Sequence, residues 1–153
     1  RGVQIIAVTT GARTGGQTFT VKYTNQDGIT GRVTPLVRQN TSTLLGTLTT
    51  TNTTAVNGAG PYIPLQDGDT GVRAVESVTM TNVDTGIFSI ILVKPLVQTC
   101  FREITVPYEK DFLIPTTDLV KIEDNAFLNF LCLPLGTLAA TALRGDLKVI
   151  WTS

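Results

Sequence analysis

The sequence predicts an all-β fold: a single-domain antiparallel β-sandwich or barrel carrying a Thr-rich loop or arm. Three observations carry that expectation. Threonine is the most frequent residue, 27 of 153, with valine and isoleucine also common; β-branched side chains are stiff at χ1 and suit a pleated surface. Apolar alternation of period two recurs along the chain, whereas helical periodicity never lasts beyond two turns. Clusters of Gly, Pro, Asn and Asp break the chain at the short intervals expected between strands. With 153 residues and 42% hydrophobic content, one domain over residues 1–153 can bury a core without metal or disulfide staples.

Taken in order, the chain opens on Arg1, which implies a start that was processed, trimmed or cut from something longer. The VQIIAV run that follows is too short for the apolar region of a signal peptide. Residues 18–24 then alternate cleanly, with Phe19, Val21 and Tyr23 on one face and Thr18, Thr20, Lys22 and Thr24 on the other. Residues 25–28 supply turn chemistry, because Asn and Gly tolerate positive φ. Residues 29–33 return with Ile29 and Val33 on one side, completing a half-buried hairpin. The stretch 41–54 (TSTLLGTLTTTNTT) is polar and uncharged, with Leu44, Leu45 and Leu48 embedded in it. It reads either as a loop or as an extended arm that orders only on assembly, these leucines being the candidate subunit contact.

Beyond residue 70 the expected strands grow more apolar: 72–80, 87–93, 97–106, 127–133 and 147–151. Several are apolar on both faces, as in the centre of a sandwich or at a subunit contact. Residues 126–143 (AFLNFLCLPLGTLAATAL) carry no charge and approach the length of a membrane helix. Pro134 and Gly136 divide the run, so a strand, a turn and a second extended piece fit better and no membrane partner is expected.

Twelve basic residues balance twelve acidic ones, and charged residues make up 16% of the chain, against about 25% in an average domain. A chain that grips nucleic acid shows a basic excess or stripe; this one shows neither. Zero net charge does nothing to oppose self-association, so a homo-oligomer is expected, trimer ahead of dimer or pentamer. Cys100 and Cys132 lie in apolar runs and read as two small buried hydrophobes rather than a disulfide.

The chain contains no histidine, so neither a Ser-His nor a Cys-His pair can be built. No phosphate-binding glycine motif or zinc spacing appears, and no cofactor is expected. Asp-Thr-Gly occurs twice, at Asp69 and Asp84, as in aspartic proteases. The copies lie too close together to come from two lobes, and Gly68, Asn82, Val72 and Ile87 stand where that motif carries other residue types. Both read as strand turns. Asp67 and Asp69 offer too few oxygens for calcium, and the pairs Glu109/Asp111 and Glu123/Asp124 read as solvated surface. The chain is therefore not expected to be an enzyme. Glu76 is odd: a regular strand would put it on the apolar face with Val72, Ala74, Val78 and Met80. It then needs Arg102 or a neighbouring subunit's arginine, or a bulge that turns it outward.

The segments GPYIPLQDGDTGVRAVESV (60–78), GIFSIILVKPL (86–96), PYEKDFL (107–113) and AFLNFL (126–131) together resemble virion structural proteins of tailed bacteriophages. The resemblance spans residues 60–131 and lies in phrase order and texture. It implies a virion structural protein assembled in the host cytoplasm. A head decoration or cement subunit that contacts the major capsid protein or other virion proteins comes first within that reading. The alternative is a tail-side module, a fibre, baseplate or adhesin piece contacting host surface glycans.

Overall fold

The structure, a computed structural model, describes residues 2–14, 18–38, 45–48, 51–53, 56–82, 85–100, 106–111, 121–132 and 145–150. These residues contain eight strands and no helix: β1 Gln4–Thr14, β2 Thr18–Asn25, β3 Arg32–Val33, β4 Val37–Arg38, β5 Thr51–Thr53, β6 Val56–Gly60, β7 Val72–Met80 and β8 Thr85–Val93. Every pairing is antiparallel. The protein is all-β, as its composition and alternation predict. The strands form a two-stranded sheet, β1–β8, and a six-stranded sheet in which β2 joins β7 to β3, β4, β5 and β6; among the described residues neither closes into a barrel.

β2 is the organising strand, and its alternation holds. Phe19, Val21, Tyr23 and Asn25 point inward while Lys22 is exposed. One edge of β2 pairs with β7 and the other takes β3 and then β4. Between those two short strands, the Thr34 amide donates to the Val21 carbonyl, and the Thr34 hydroxyl accepts from the Val21 amide at 3.0 Å. A side chain thus completes the ladder just before Pro35, whose missing N–H would interrupt it.

The expected hairpin is present but its return strand is shorter than 29–33. Gly28 and Gly31 both adopt positive φ, which throws the intervening residues out of the pleat. Only Arg32 and Val33 pair with β2, and Ile29 and Val33 are exposed instead of half-buried.

β7 occupies the expected residues but does not alternate. Val75 pairs with Tyr23 and Ser77 with Lys22, leaving Glu76 as an extra residue; Ala74 and Val72 likewise flank an extra Arg73. Each bulge adds one position to the turn of the strand. Val72, Val75 and Val78 consequently face the core at intervals of three.

The VQIIAV run, weighed in the sequence only as a leader, forms the most buried part of β1, with Ile5, Ile6 and Ala7 all buried. Both of its edges are occupied. β8 lies along one; on the other, Ile5 accepts from the Ile63 amide, Val3 from the Val72 amide, and Thr9 exchanges two hydrogen bonds with Gly46 and Thr47. One core is shared between the sheets, built on Ile5, Ala7, Phe19, Val21, Tyr23, Val37, Ile63 and Val72, with Phe88 and Ile90 packed against it. The rings of Phe19 and Phe88 meet across it at 5.1 Å. Where β8 begins, Gly86 has a φ of +116° and its backbone crosses β1 so closely that a Cβ would fall on Arg13 and 2.7 Å from the Ala12 carbonyl oxygen.

The strands expected at 97–106, 127–133 and 147–151 are not found in their described parts, residues 97–100, 106, 127–132 and 147–150. Apolar residues of high β propensity become a strand only where a neighbour satisfies their amides and carbonyls, and none of the described strands lies beside them. Cys100 and Cys132 are exposed rather than buried and form no disulfide. No helix of the described residues is long and apolar enough to cross a membrane.

Candidate functional site

Two places concentrate unusual side chains: a polar knot at one end of β2 and an uncovered apolar stretch after β8. The knot centres on Asp69. Its carboxylate accepts from the Tyr23 hydroxyl at 2.5 Å, from Asn25 Nδ2 at 2.8 Å and from Arg32 Nε at 2.8 Å. Tyr23 and Asn25 arrive through the inward face of β2, Arg32 through β3, and Asp69 through the turn closed by its own amide on the Gln66 carbonyl. Further bonds knit the same turn to the hairpin. The Gln66 amide donates to the Tyr23 oxygen, Arg32 Nη2 to the Asp67 carbonyl, and the Thr70 and Gly71 amides to Gln26 Oε1.

Burial pushes the Tyr23 phenol up to about 12, and its bond to Asp69 adds to the effect. The hydrogen bond from Arg32 holds the Asp69 carboxyl down at about 2, helped by Tyr23 and Asn25. Both shifts lead away from neutrality. A general acid or base needs a pKa near the working pH; what the bonds of the knot do is tie the turn at residues 66–71 to the β2 hairpin. An open depression of about 590 Å³ lies beside it, between Gly31–Pro35 and Gln66–Asp67. Arg32, the cation of that depression, is already committed to Asp69 at 2.8 Å.

Asp69 therefore does more than the turn residue expected of it. Asp84, the other half of the Asp-Thr-Gly repeat, lies outside the described residues. Among the described residues no group of three or more His, Cys, Asp or Glu side chains is placed to hold a metal ion. Of the acidic pairs, Glu123 faces Lys121 at 3.7 Å on open surface. Glu76 resolves as a bulge: its carboxylate accepts from the Gly31 amide at 2.9 Å and the Thr24 hydroxyl at 3.0 Å, with Lys22 at 3.5 Å. The Gly31 bond, chiefly, lowers its pKa.

Sequence reasoning missed Tyr23, Asn25 and Arg32 as partners of Asp69, since they lie 37 to 46 positions away from it. One signal was present: alternation puts the Tyr23 hydroxyl and the Asn25 amide on a buried face, where each needs a partner.

Of the candidate contact leucines, Leu44 lies outside the described residues and Leu45 is 65% exposed. Leu48 bridges Val8 of its own chain. Part of the threonine-rich stretch thus has an intrachain partner. The larger uncovered surface lies elsewhere. Phe127 is 91% and Phe130 73% exposed, with Leu128 and Leu131 beside them, and Ile87 and Ile91 of β8 are exposed as well. No family model, curated protein or solved structure matches the chain.

Proposed function

We propose that the chain is a structural subunit of a tailed-phage virion, a head decoration or cement protein that acts by protein–protein contact and carries no catalytic activity. The observation that supports this reading is the uncovered apolar stretch at residues 126–132. A monomer that works alone rarely leaves two phenylalanines and two leucines of one short stretch in water, and the chain has no net charge to keep copies apart. The residues that resemble virion proteins include this same stretch. The Asp69 knot fits a building block, since it fastens a surface loop with a carboxylate that stays ionised at neutral pH.

In this reading the partners are further copies of the chain, as a trimer, together with the major capsid protein or another virion protein. Neither nucleic acid nor membrane takes part. The test is to label virions with an antibody raised against the chain, and to mix purified chain with empty capsid shells. Label at regular head positions, with co-sedimentation on shells, is the expected result. Label confined to the tail moves the protein to the tail-side alternative, and no label on any particle overturns the reading.

A further inference from the structure

Of the long strands, β7 and β8 each have one neighbour among the described residues, and β7 carries Arg73 and Glu76 along its length. β2 is paired on both edges and β1 is covered on both, whereas β8 meets only β1 among the described residues. Its sequence, TGIFSIILV, carries neither charge nor proline, two of the devices that keep an exposed edge from recruiting another strand. It is also apolar on both faces. Ile87 and Ile91 stand exposed on the outer side, and Leu92, opposite Ile5, remains part-exposed on the core side. A strand laid beside β8 would therefore need apolar residues at successive positions, not the alternation of a surface strand.

Residues 126–132, AFLNFLC, have that composition. Among the described residues they are neither helix nor strand, and no described strand pairs with them. Their large side chains are uncovered in the chain's own fold. Donor and acceptor are thus both present on one chain, unpaired with each other.

We propose that residues 126–132 of one copy add to the free edge of β8 in a second copy, so that subunits are joined by strand exchange. This deepens the proposed function and rests on it, because it names the surface by which such a subunit would hold its neighbour. The contact is head-to-tail: each copy offers one donor and one acceptor, and closure gives a ring. Two phenylalanines bury roughly 150–250 Å² each. With the leucines and the β8 side chains they meet, the contact approaches the roughly 1,000 Å² that a specific interface needs. No charge is buried on either side, so no desolvated ion opposes the exchange.

Two blocked variants test it. Ile87→Lys with Ile91→Lys places cations on the acceptor; Phe127→Asp with Phe130→Asp places anions on the donor. All four side chains are exposed, so each variant should keep its sheet signal and cooperative melt. By sedimentation, wild-type protein should assemble, while each variant alone should be monomeric, its association weakened by about 100-fold or more. Mixed in equal amounts, the two variants should form a 1:1 dimer that grows no further, because one intact donor meets one intact acceptor. Ile29→Lys, on another exposed apolar residue, should assemble as wild type does.

A monomeric wild type, assembly of either variant alone, or a mixture that stays monomeric overturns the proposal. If a variant fails to fold, hydrogen exchange on wild type decides instead. Amides in 85–93 and 126–132 should gain protection together as concentration rises through association; continued fast exchange in either segment overturns the proposal. These measurements use purified chain only. Particles without label would remove the virion reading and leave the exchange standing; label on particles with no exchange would do the reverse.

Discussion

Residues 85–93 and residues 126–132 are built from similar material, uncharged and rich in large apolar side chains. The first stretch is β8, held along its length by β1; the second is uncovered. The difference lies in what stands beside each. β8 has an occupied strand as its neighbour and Phe19 across the core to receive Phe88. Residues 126–132 have neither within the described chain. Strand formation here follows the supply of partners for backbone and side chain, with intrinsic propensity only permitting it.

The sharpest way to break that comparison is to remove the same side chain from each side. Phe19 is fully buried, so Phe19→Ala should cost about 3–5 kcal/mol. Phe127→Ala, in chain diluted below any association, should change stability by less than about 0.5 kcal/mol. Urea denaturation of both variants measures the contrast. Equal losses would mean that the 126–132 stretch is part of the same cooperative core.

The ordered region can next be probed through its charge. Asp69 has its pKa lowered in the fold, so its stabilising contribution is complete above the unfolded value of 3.8 and is lost as pH falls toward about 2. The melting temperature should therefore drop across pH 4 to 2. Asp69→Asn should be less stable than wild type at pH 7 and should show a flatter acid limb, with the two curves converging near pH 2. An unchanged acid limb would show that the knot contributes nothing to the fold.

A smaller effect is expected at Thr34. Replacing it with valine keeps the shape but leaves the buried Val21 amide without the hydroxyl it donates to, a loss of about 1–3 kcal/mol. Amide exchange at Val21 should accelerate while the other β2 amides change less. If it does not, β3 and β4 do not behave as one ladder.

The pattern of what could be read follows from range. β2 was legible because its alternation is local and uninterrupted, and the bounds of β7 coincide with its β-rich run. Its facing was not legible, since bulges at Arg73 and Glu76 convert a period of two into steps of three. The oddity of Glu76 on an apparent core face was the trace they left. β1 escaped notice as a strand because VQIIAV is apolar at every position but Gln4 and offers no alternation. The Asp69 knot joins residues far apart in sequence, which no local pattern reports. The described parts of the strands expected after residue 94 had propensity in their favour and no described strand beside them.

The bulge at Glu76 also changes how this gene can shorten. In an ordinary strand, losing one codon inverts every later side chain, sending core residues to the solvent face. Here Val75 and Ser77 already pair with consecutive residues of β2. Deleting Glu76 would leave both pairings and all three core valines facing as before, sacrificing only the bonds to Gly31, Thr24 and Lys22. β7 thus carries, in mid-strand, a position where a reading-frame-preserving deletion is geometrically silent.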